Sequence, residues 1–248
     1  QTTTAVTGAP AHTGSRGSRV VGILAAGGAV ALLVFALVLS PADRIRGEAV
    51  RLMYLHVPAA LAMYGAVILL GVASAMWLRR KTRGWDVLAA AAAEVGLVFT
   101  GLTLVTGMLW GRPTWGVYWV WDARLTTTAM LAILLAGYLA LRRVPASEES
   151  RARRAAVAGL LVVVDLPLIH YSVNWWRTLH QDATISTTDV QIDGLMLFTL
   201  FLSMVVAGLV LTWLLIHRFR LAWLEAEVDE GGLDRALAER RAEAEVST

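Results

Sequence analysis

The sequence predicts an all-α integral membrane protein with six transmembrane helices. Of its 248 residues, 57% are hydrophobic and only 17% are charged, a balance that is unusual for a soluble globular domain. Six apolar runs follow one another along the chain, and each is near or above the length of about 17 to 25 residues that crosses a bilayer. We interpret each run as a helix, because a helix satisfies its own backbone hydrogen bonds in lipid.

The apolar runs, in chain order, are 20–39, 52–78, 87–109, 125–141, 155–171 and 194–216. The first run is longer than the apolar core of a usual signal peptide, so we expect a retained helix. Pro58 is expected in the first turn of the second helix, and Pro167 is expected to bend the fifth. The charged, helix-prone tail contains Gly231 and Gly232, which we expect to interrupt it.

This pattern predicts three regions. They are a cytoplasmic segment 1–18, a six-helix domain 19–217 with a tryptophan-rich loop at 110–124, and a cytoplasmic tail 218–248. The orientation follows from the basic residues, since 16 of the 22 Lys and Arg side chains fall in the two termini and the alternate connections between them. The positive-inside rule places those segments in the cytoplasm. Because these basic residues lie beside helix ends, they indicate topology and not a nucleic-acid partner.

The predicted outer face carries an unusual concentration of aromatic rings. Residues 115–126 read WGVYWVWDARLT, with three tryptophans and one tyrosine within seven positions. Ordinary interfacial anchoring uses one or two such rings at a helix end. The segment therefore indicates a site for a flat, apolar ligand with charged edges, such as a porphyrin.

The rings of this motif lie in residues 115–121, which we call the aromatic segment. Two geometries are open for it. A helix would place on one face Trp115, Tyr118, Trp119 and Asp122. An extended chain would place on one face Trp115, Val117, Trp119 and Trp121. Either arrangement presents an apolar shelf near the membrane surface.

The histidines suggest a metal to accompany such a ring system. His12 and His217 lie in predicted cytoplasmic positions, where solvent or headgroup contacts explain them. His56 and His180 fall on the outer face near the aromatic segment, with His170 as a third candidate. Imidazole is a standard axial ligand of heme iron. The chain contains no cysteine, which excludes thiolate ligation and covalent thioether attachment to its own side chains.

Arginines on the outer side match the charged edge of a heme. Arginine binds carboxylates through paired hydrogen bonds, and heme carries two propionates. Arg51 and Arg124 stand close in sequence to His56 and the aromatic segment, although contacts with headgroup phosphates would also explain them. Asp122 is predicted to hold Arg124 in place or to cap the fourth helix.

Three segments together carry a resemblance to a known family. WGVYWVWDARLT is similar to the tryptophan-rich WWD signature of the heme-handling membrane proteins of cytochrome c maturation. RLMYLHVPAA and SVNWWRTLHQ resemble the branch that loads a heme chaperone, and the likeness extends over essentially all six helices. The resemblance implies a multi-pass protein of the bacterial inner membrane that binds heme b without a covalent bond, with its active surface facing the periplasm.

The resemblance also implies roles for single residues. His56 and His180 would be the two axial ligands of the iron, and Arg51 and Arg124 would bind the propionates. The heme platform would comprise Trp115, Tyr118, Trp119, Trp121 and Asp122. The family commonly has another tryptophan where this chain has Tyr118, which keeps an aromatic ring. His170 is not part of the family's ligand pair.

The partners that the resemblance implies are a periplasmic heme chaperone, an ABC ATPase with its membrane subunit, and a small single-helix protein. The chain itself has no GxxxxGK[ST] phosphate loop, so ATP chemistry would come from those partners. The main activity would be heme transport and delivery, and assistance in attaching heme to the chaperone stays open.

Three other functions are alternatives to heme delivery. A membrane oxidoreductase would also use a bis-histidine heme, but it would ordinarily hold the heme permanently between helices. A cytochrome c synthase of the same family would typically be a larger chain. A scaffold with an aromatic belt would bind no coloured cofactor. Glu94 and Asp165 lie inside apolar runs, where charge is costly, and we expect them to form interhelical hydrogen bonds or to pack against a partner.

Overall fold

The computed structural model describes residues 12–176, 178–180, 192 and 194–246, with side chains up to residue 228. Regular structure in this part of the chain is helical, and six helical segments are long and apolar enough to cross a membrane. These segments are Arg16–Leu39, Glu48–Arg80, Arg83–Trp115, Ala123–Arg142, Glu148–Trp175 and Gly194–Val228. The predicted fold class and the six spans are confirmed.

Seven α-helices make up the spans. They are α1 (Arg16–Val34), α2 (Met53–Arg80), α3 (Arg83–Trp115), α4 (Ala123–Arg142), α5 (Glu148–Val163), α6 (Asp165–Trp175) and α7 (Gly194–Val246). A π-helical turn, Phe35–Leu39, extends α1, and a 3₁₀ turn, Glu48–Leu52, precedes α2. Because α2 begins at Met53, Pro58 lies in the helix interior and not in the first turn as expected.

Helices α2 and α3 form the centre of the bundle. About half of the apolar window in each is buried inside the protein, at 50% and 56%, whereas only 11% of the window in the first span is buried. Small side chains allow the central helices to approach closely, including the alanine run at 89–93, whose members are all buried. Large buried side chains such as Met63, Leu70 and Leu131 fill the core between them. The first span packs mainly on α7 at the periphery.

The fifth span is divided at Val164. Helix α5 ends at Val163 and α6 begins at Asp165. Pro167 has no N–H to donate to the carbonyl of Val163, four residues earlier, so the interruption agrees with the predicted bend. Asp165 is 2% exposed, and its carboxylate has no hydrogen-bond partner among the residues that the structure describes. The interhelical hydrogen bond expected for Asp165 is therefore not formed there.

Glu94 fulfils the expectation of an interhelical contact. Its two carboxylate oxygens accept hydrogen bonds from Arg218 on α7, one of them at 2.8 Å. Arg218 in turn donates to Glu225 at 3.1 Å. The pair ties the centre of the bundle to the last span, which explains a carboxylate in an apolar run without a functional site.

The tail differs from the sequence-based expectation. Helix α7 continues without interruption from Gly194 to Val246, through both Gly231 and Gly232. A glycine inside a helix costs only about 1 kcal/mol relative to alanine. The surrounding alanine, leucine, glutamate and arginine residues favour helix strongly enough to offset that cost.

The bundle end opposite the aromatic segment is held by another ion pair, which is more deeply buried than that of Glu94 and Arg218. Arg142 on α4 donates to both oxygens of Asp86 on α3, at 2.6 and 2.7 Å. The two side chains are only 14% and 10% exposed. This contact holds the last residues of α4 against the first residues of α3. The less regular structure lies at the other end of these helices.

Candidate functional site

A cavity of about 560 Å³ lies at the end of the bundle that carries the aromatic segment. Its walls come from α2, α3, α4 and α6 and from the short chain segment after α6. The polar side chains among its lining residues include those of His56, Tyr64, Arg124, His170, Asn174 and His180. The remaining lining is mainly aliphatic, and the size falls in the range of about 300 to 1,000 Å³ that is typical of small-molecule sites.

His56 enters the cavity from the first turns of α2. Its Nδ1 lies 3.1 Å from the backbone oxygen of Thr103 and 3.1 Å from the hydroxyl oxygen of Thr106. A carbonyl oxygen can only accept, so Nδ1 carries the proton. The Thr106 hydroxyl donates to the carbonyl of Leu102 at 2.7 Å, which leaves its oxygen as a second acceptor. Nε2 of His56 is then the nitrogen whose lone pair remains for a ligand.

The space that the His56 ring occupies depends on a glycine. A methyl group added at Gly107 on α3 would lie 3.0 Å from Cε1 of His56, closer than such contacts normally come. The edge of the Trp110 ring packs on the imidazole, with the ring centroids 5.7 Å apart. Sequence reasoning did not identify Gly107, because glycine is common in membrane helices and nothing local distinguishes this one.

His180 approaches the cavity from the segment after α6. Its Nδ1 lies 2.9 Å from Oδ1 of Asp122, so Nδ1–H donates to the carboxylate and Nε2 is left for a ligand. The Trp115 ring packs edge-on against the imidazole at a centroid distance of 5.0 Å. The structure brings the two histidines predicted from the sequence, His56 and His180, to one cavity.

Asp122 organises this side of the site. Its carboxylate accepts hydrogen bonds from the backbone N–H groups of Arg124 and Leu179, both at 2.9 Å, and from the Thr178 hydroxyl. The bond from Arg124 caps the N-terminus of α4, which confirms the predicted cap. The expected contact with the guanidinium of Arg124 is absent from the hydrogen bonds of the described residues. Asp122 instead binds the chain segment that contains His180.

Burial and hydrogen bonding set the protonation of this pair. Burial lowers the pKa of His180 below its ordinary value of 6.5, although the Asp122 carboxylate acts in the opposite direction. Burial opposes ionisation of Asp122, but hydrogen bonds from Thr178 and the Leu179 amide outweigh it, so the pKa of Asp122 lies below its ordinary value of 3.8. Near neutral pH the pair is a carboxylate and a neutral imidazole, which is the form that binds metals.

The two predicted arginines occupy different places. Arg124 lines the cavity, donates from Nη2 to the carbonyl of His170 at 3.2 Å, and has a buried Nε with no partner in the described part of the chain. Arg51 instead pairs with Glu48 and donates to the carbonyl of Ala36, and it is not among the residues that line the cavity.

The aromatic segment, residues 115–121, adopts neither of the two regular geometries throughout. Trp115 is the last residue of α3, and Gly116 ends the helix with a φ of 82°. The chain then bends and continues without helix to Asp122. Trp119 and Trp121 pack edge to face with centroids 5.6 Å apart, and Trp121 is 83% exposed.

Two members of the predicted platform, Asp122 and Trp115, contact His180. None of the four platform rings, Trp115, Tyr118, Trp119 and Trp121, is among the residues that line the cavity. Nearby, Tyr171 stacks on Trp175 at a centroid distance of 5.5 Å. Arg177, one of the outer cations in the sequence, lies outside the described residues.

His170 was a minor candidate from the sequence, and the structure gives it more weight. It lines the cavity together with His56 and His180. Its neighbour one helical turn later, Asn174, also lines the cavity, so α6 contributes a polar edge. Their spacing of four residues could have indicated this shared face.

Comparisons with known proteins agree on one family. The family model described as CcmC, heme exporter protein C, matches residues 7–232. The chain is 36% identical to heme exporter protein C of Haemophilus influenzae over 199 residues, covering 79% of this chain and 80% of that protein. It is 44% identical to heme exporter protein C of Escherichia coli strain K12 over 145 residues, which cover 58% of this chain and 59% of that relative. A third relative, from Bradyrhizobium diazoefficiens, is 42% identical over 150 residues, or 59% of this chain and 56% of that protein.

The contact between His180 and Asp122 predicts a specific titration. In protein with labelled histidine in detergent, NMR is expected to show His180 losing its proton at a pH below 6.5, because burial favours the neutral ring. Asp122→Asn removes the charge that favours the protonated ring, so the midpoint should move to still lower pH. Thr106→Val, beside His56, should leave the His180 midpoint in place. An upward shift in Asp122→Asn would contradict the assignment.

Proposed function

This chain belongs to the heme exporter protein C family, and from that membership we propose that it binds heme and delivers it to a periplasmic chaperone during c-type cytochrome maturation. The observation that carries the proposal is the meeting of His56 and His180 at one cavity, each with Nδ1 already hydrogen-bonded. Two neutral imidazoles whose Nε2 atoms have no hydrogen bond within the described part of the chain are suited to the two axial positions of heme iron.

The cavity fits this cargo in several respects. A porphyrin supplies four nitrogen ligands of its own, so two imidazoles complete a six-coordinate iron. The volume of about 560 Å³ is of the scale of a drug-sized or cofactor-sized ligand. The lining is mainly apolar, as the porphyrin faces require. Because the chain has no cysteine, the bound heme would be non-covalent heme b.

Arg124 is the best placed cation for a propionate. Its buried Nε has no partner among the described residues, and a buried donor without a partner is unfavourable. A carboxylate at the cavity would satisfy that donor. His170 and Asn174 would complete the polar edge on which the propionates rest. Arg51, bound to Glu48 and to Ala36, supports the site indirectly by holding the turn before α2.

Delivery requires that part of the site be accessible to a second protein. The exposed rings of Tyr118 and Trp121, at 53% and 83% exposure, form a surface beside the cavity on which a chaperone would dock. Trp115 would cover one side of the porphyrin while the vinyl edge stays reachable. In this scheme His56 and His180 hold the iron, and the chaperone supplies any nucleophile for covalent attachment.

The proposal also includes the orientation of the chain in the membrane and its partner proteins. The basic connections at the opposite bundle end would lie in the cytoplasm, so the cavity would face the periplasm of a bacterial inner membrane. An ABC ATPase, its membrane subunit and a small single-helix protein would assemble with the chain, and the ATPase would supply the energy for release. Helix α7, which continues far beyond the bilayer segment, offers a cytoplasmic attachment for such partners.

The direct test is the visible spectrum of the protein purified in detergent from heme-replete cells. The unsubstituted chain is expected to show the Soret band of a six-coordinate heme. His56→Ala and His180→Ala should each reduce heme per protein by roughly tenfold or more, because a lost axial ligand weakens retention at least as much as a lost supporting contact. Unchanged spectra in both variants would refute the ligand assignment.

Gly107 provides a matched pair of variants on one helix. Gly107→Ala places a methyl group 3.0 Å from the His56 ring, whereas a methyl group at Gly101 meets no atom within 4 Å. We expect Gly107→Ala to weaken heme binding by about tenfold through displacement of the ligand, while Gly101→Ala binds as the unsubstituted chain does. Heme titration measures both. Equal binding by the two variants would show that His56 does not need this space.

The proposed role of Arg124 can be tested by changing the propionates of the heme. Arg124→Ala should weaken binding of heme by roughly tenfold or more, since a hydrogen bond to a charged group contributes about 1.5 to 3 kcal/mol. Heme whose propionates are methyl esters carries no such charge, so the variant and the unsubstituted chain should bind the ester similarly. An equal loss with both forms would assign Arg124 a structural role.

A further inference from the structure

The two imidazoles at the cavity are supported by different kinds of partner. His56 donates to a main-chain carbonyl, that of Thr103. His180 donates to a carboxylate, that of Asp122. A carboxylate partner makes an imidazole a stronger electron donor to a metal than a neutral partner does. The strength of the His180 bond would therefore depend on where Asp122 lies.

The support of His56 is part of the bundle core. Thr103 and Thr106 are 7% and 2% exposed, and their hydroxyl groups donate to the carbonyls of α3 one turn earlier. His56 itself belongs to α2, the helix that packs most extensively on α3. The partner of the His56 ring is therefore held in place by the packing of the two central helices.

The support of His180 has no such helical framework. Residues 178–180 follow α6 and are not helical. Three groups of this segment converge on Asp122: the Thr178 hydroxyl, the Leu179 amide and the His180 ring. The Asp122 side chain is only 2% exposed. Among the described residues, its carboxylate thus receives three hydrogen bonds from this segment.

Asp122 is also directly joined to the aromatic segment. It follows Trp121 in the chain, and Trp121 is 83% exposed. At the other end of the same segment, the Trp115 ring packs on His180 at 5.0 Å. A protein that binds the exposed rings would therefore pull at the contacts that Asp122 and Trp115 make with the His180 imidazole. The contacts of His56 among the described residues lie on α3, outside residues 115–122.

We propose that His180 is the switchable axial ligand, and that Asp122 is the positioning residue that couples it to the aromatic segment. While the segment is at rest, Asp122 orients His180 and strengthens its bond to iron. Displacement of the segment by a docking partner withdraws Asp122, and the iron–nitrogen bond opens with its electron pair returning to Nε2. His56 retains the cargo until transfer. This inference rests on the proposed heme binding and adds the order in which the ligands leave.

The test uses the full chain loaded with heme in detergent and free imidazole as the competing ligand. Asp122→Asn keeps a good helix cap but removes the charge, and it should speed imidazole exchange at the iron by about 10- to 100-fold. It should also raise the reduction potential of the heme. Thr106→Val, on the His56 side, should change both by a smaller factor.

A second pair of variants identifies the ligand that leaves. His180→Gly with added imidazole is expected to keep its heme and regain a six-coordinate spectrum. His56→Gly with the same imidazole should lose most of its heme on a desalting column. Equal behaviour of these two variants, or an exchange rate in Thr106→Val as high as in Asp122→Asn, would overturn the proposal while heme binding stands. No Soret band in the unsubstituted chain would remove both the proposed function and this inference.

Discussion

The carboxylate of Asp122 joins two parts of the chain that are far apart in sequence, the start of α4 and residues 178–180. It caps α4, it accepts the hydrogen bond of His180, and it binds two further groups of the segment before that histidine. Because one oxygen pair serves all of them, the position of α4, the end of the aromatic segment and the second histidine are fixed together. A buried carboxylate is costly unless its acceptor positions are filled, and here they are filled by four donors.

The membrane determines where helical and irregular structure lie around this carboxylate. Polar backbone groups must pair within the segment that crosses the lipid, so the spans are helices and irregular chain is confined to their ends. Helices α2 and α3 pack through alanine and other small side chains and form a stiff wall that holds His56. His180 reaches the cavity from residues 178–180, which are not helical, and α4 and α6 supply further lining residues. One candidate histidine thus lies on a central helix and the other on a non-helical segment.

Much of the fold could be predicted from the sequence, because hydrophobic length alone determines which segments cross the bilayer. The bend near Pro167 and the cap at Asp122 follow from local chemistry. The contact between Asp122 and His180 could not, since 58 positions separate the two residues and only tertiary packing brings them together. In the sequence, Arg51 and Arg124 were equally good candidates for binding a propionate. The structure distinguishes them because Glu48, three residues from Arg51, binds the first guanidinium whereas Arg124 reaches the cavity.

The absence of helical hydrogen bonds in residues 178–180 affects how the protein can open. Proteins unfold in separate cooperative units whose opening free energies range from nearly zero to the global stability. By this rule, a non-helical segment that the described residues hold through one carboxylate is expected near the low end of that range, and the buried helices α2 and α3 near the high end. The cavity can therefore open by a sub-global fluctuation that leaves the membrane core intact. Repeated loading and unloading would then draw on local fluctuations and would not expose the buried helices to lipid or water.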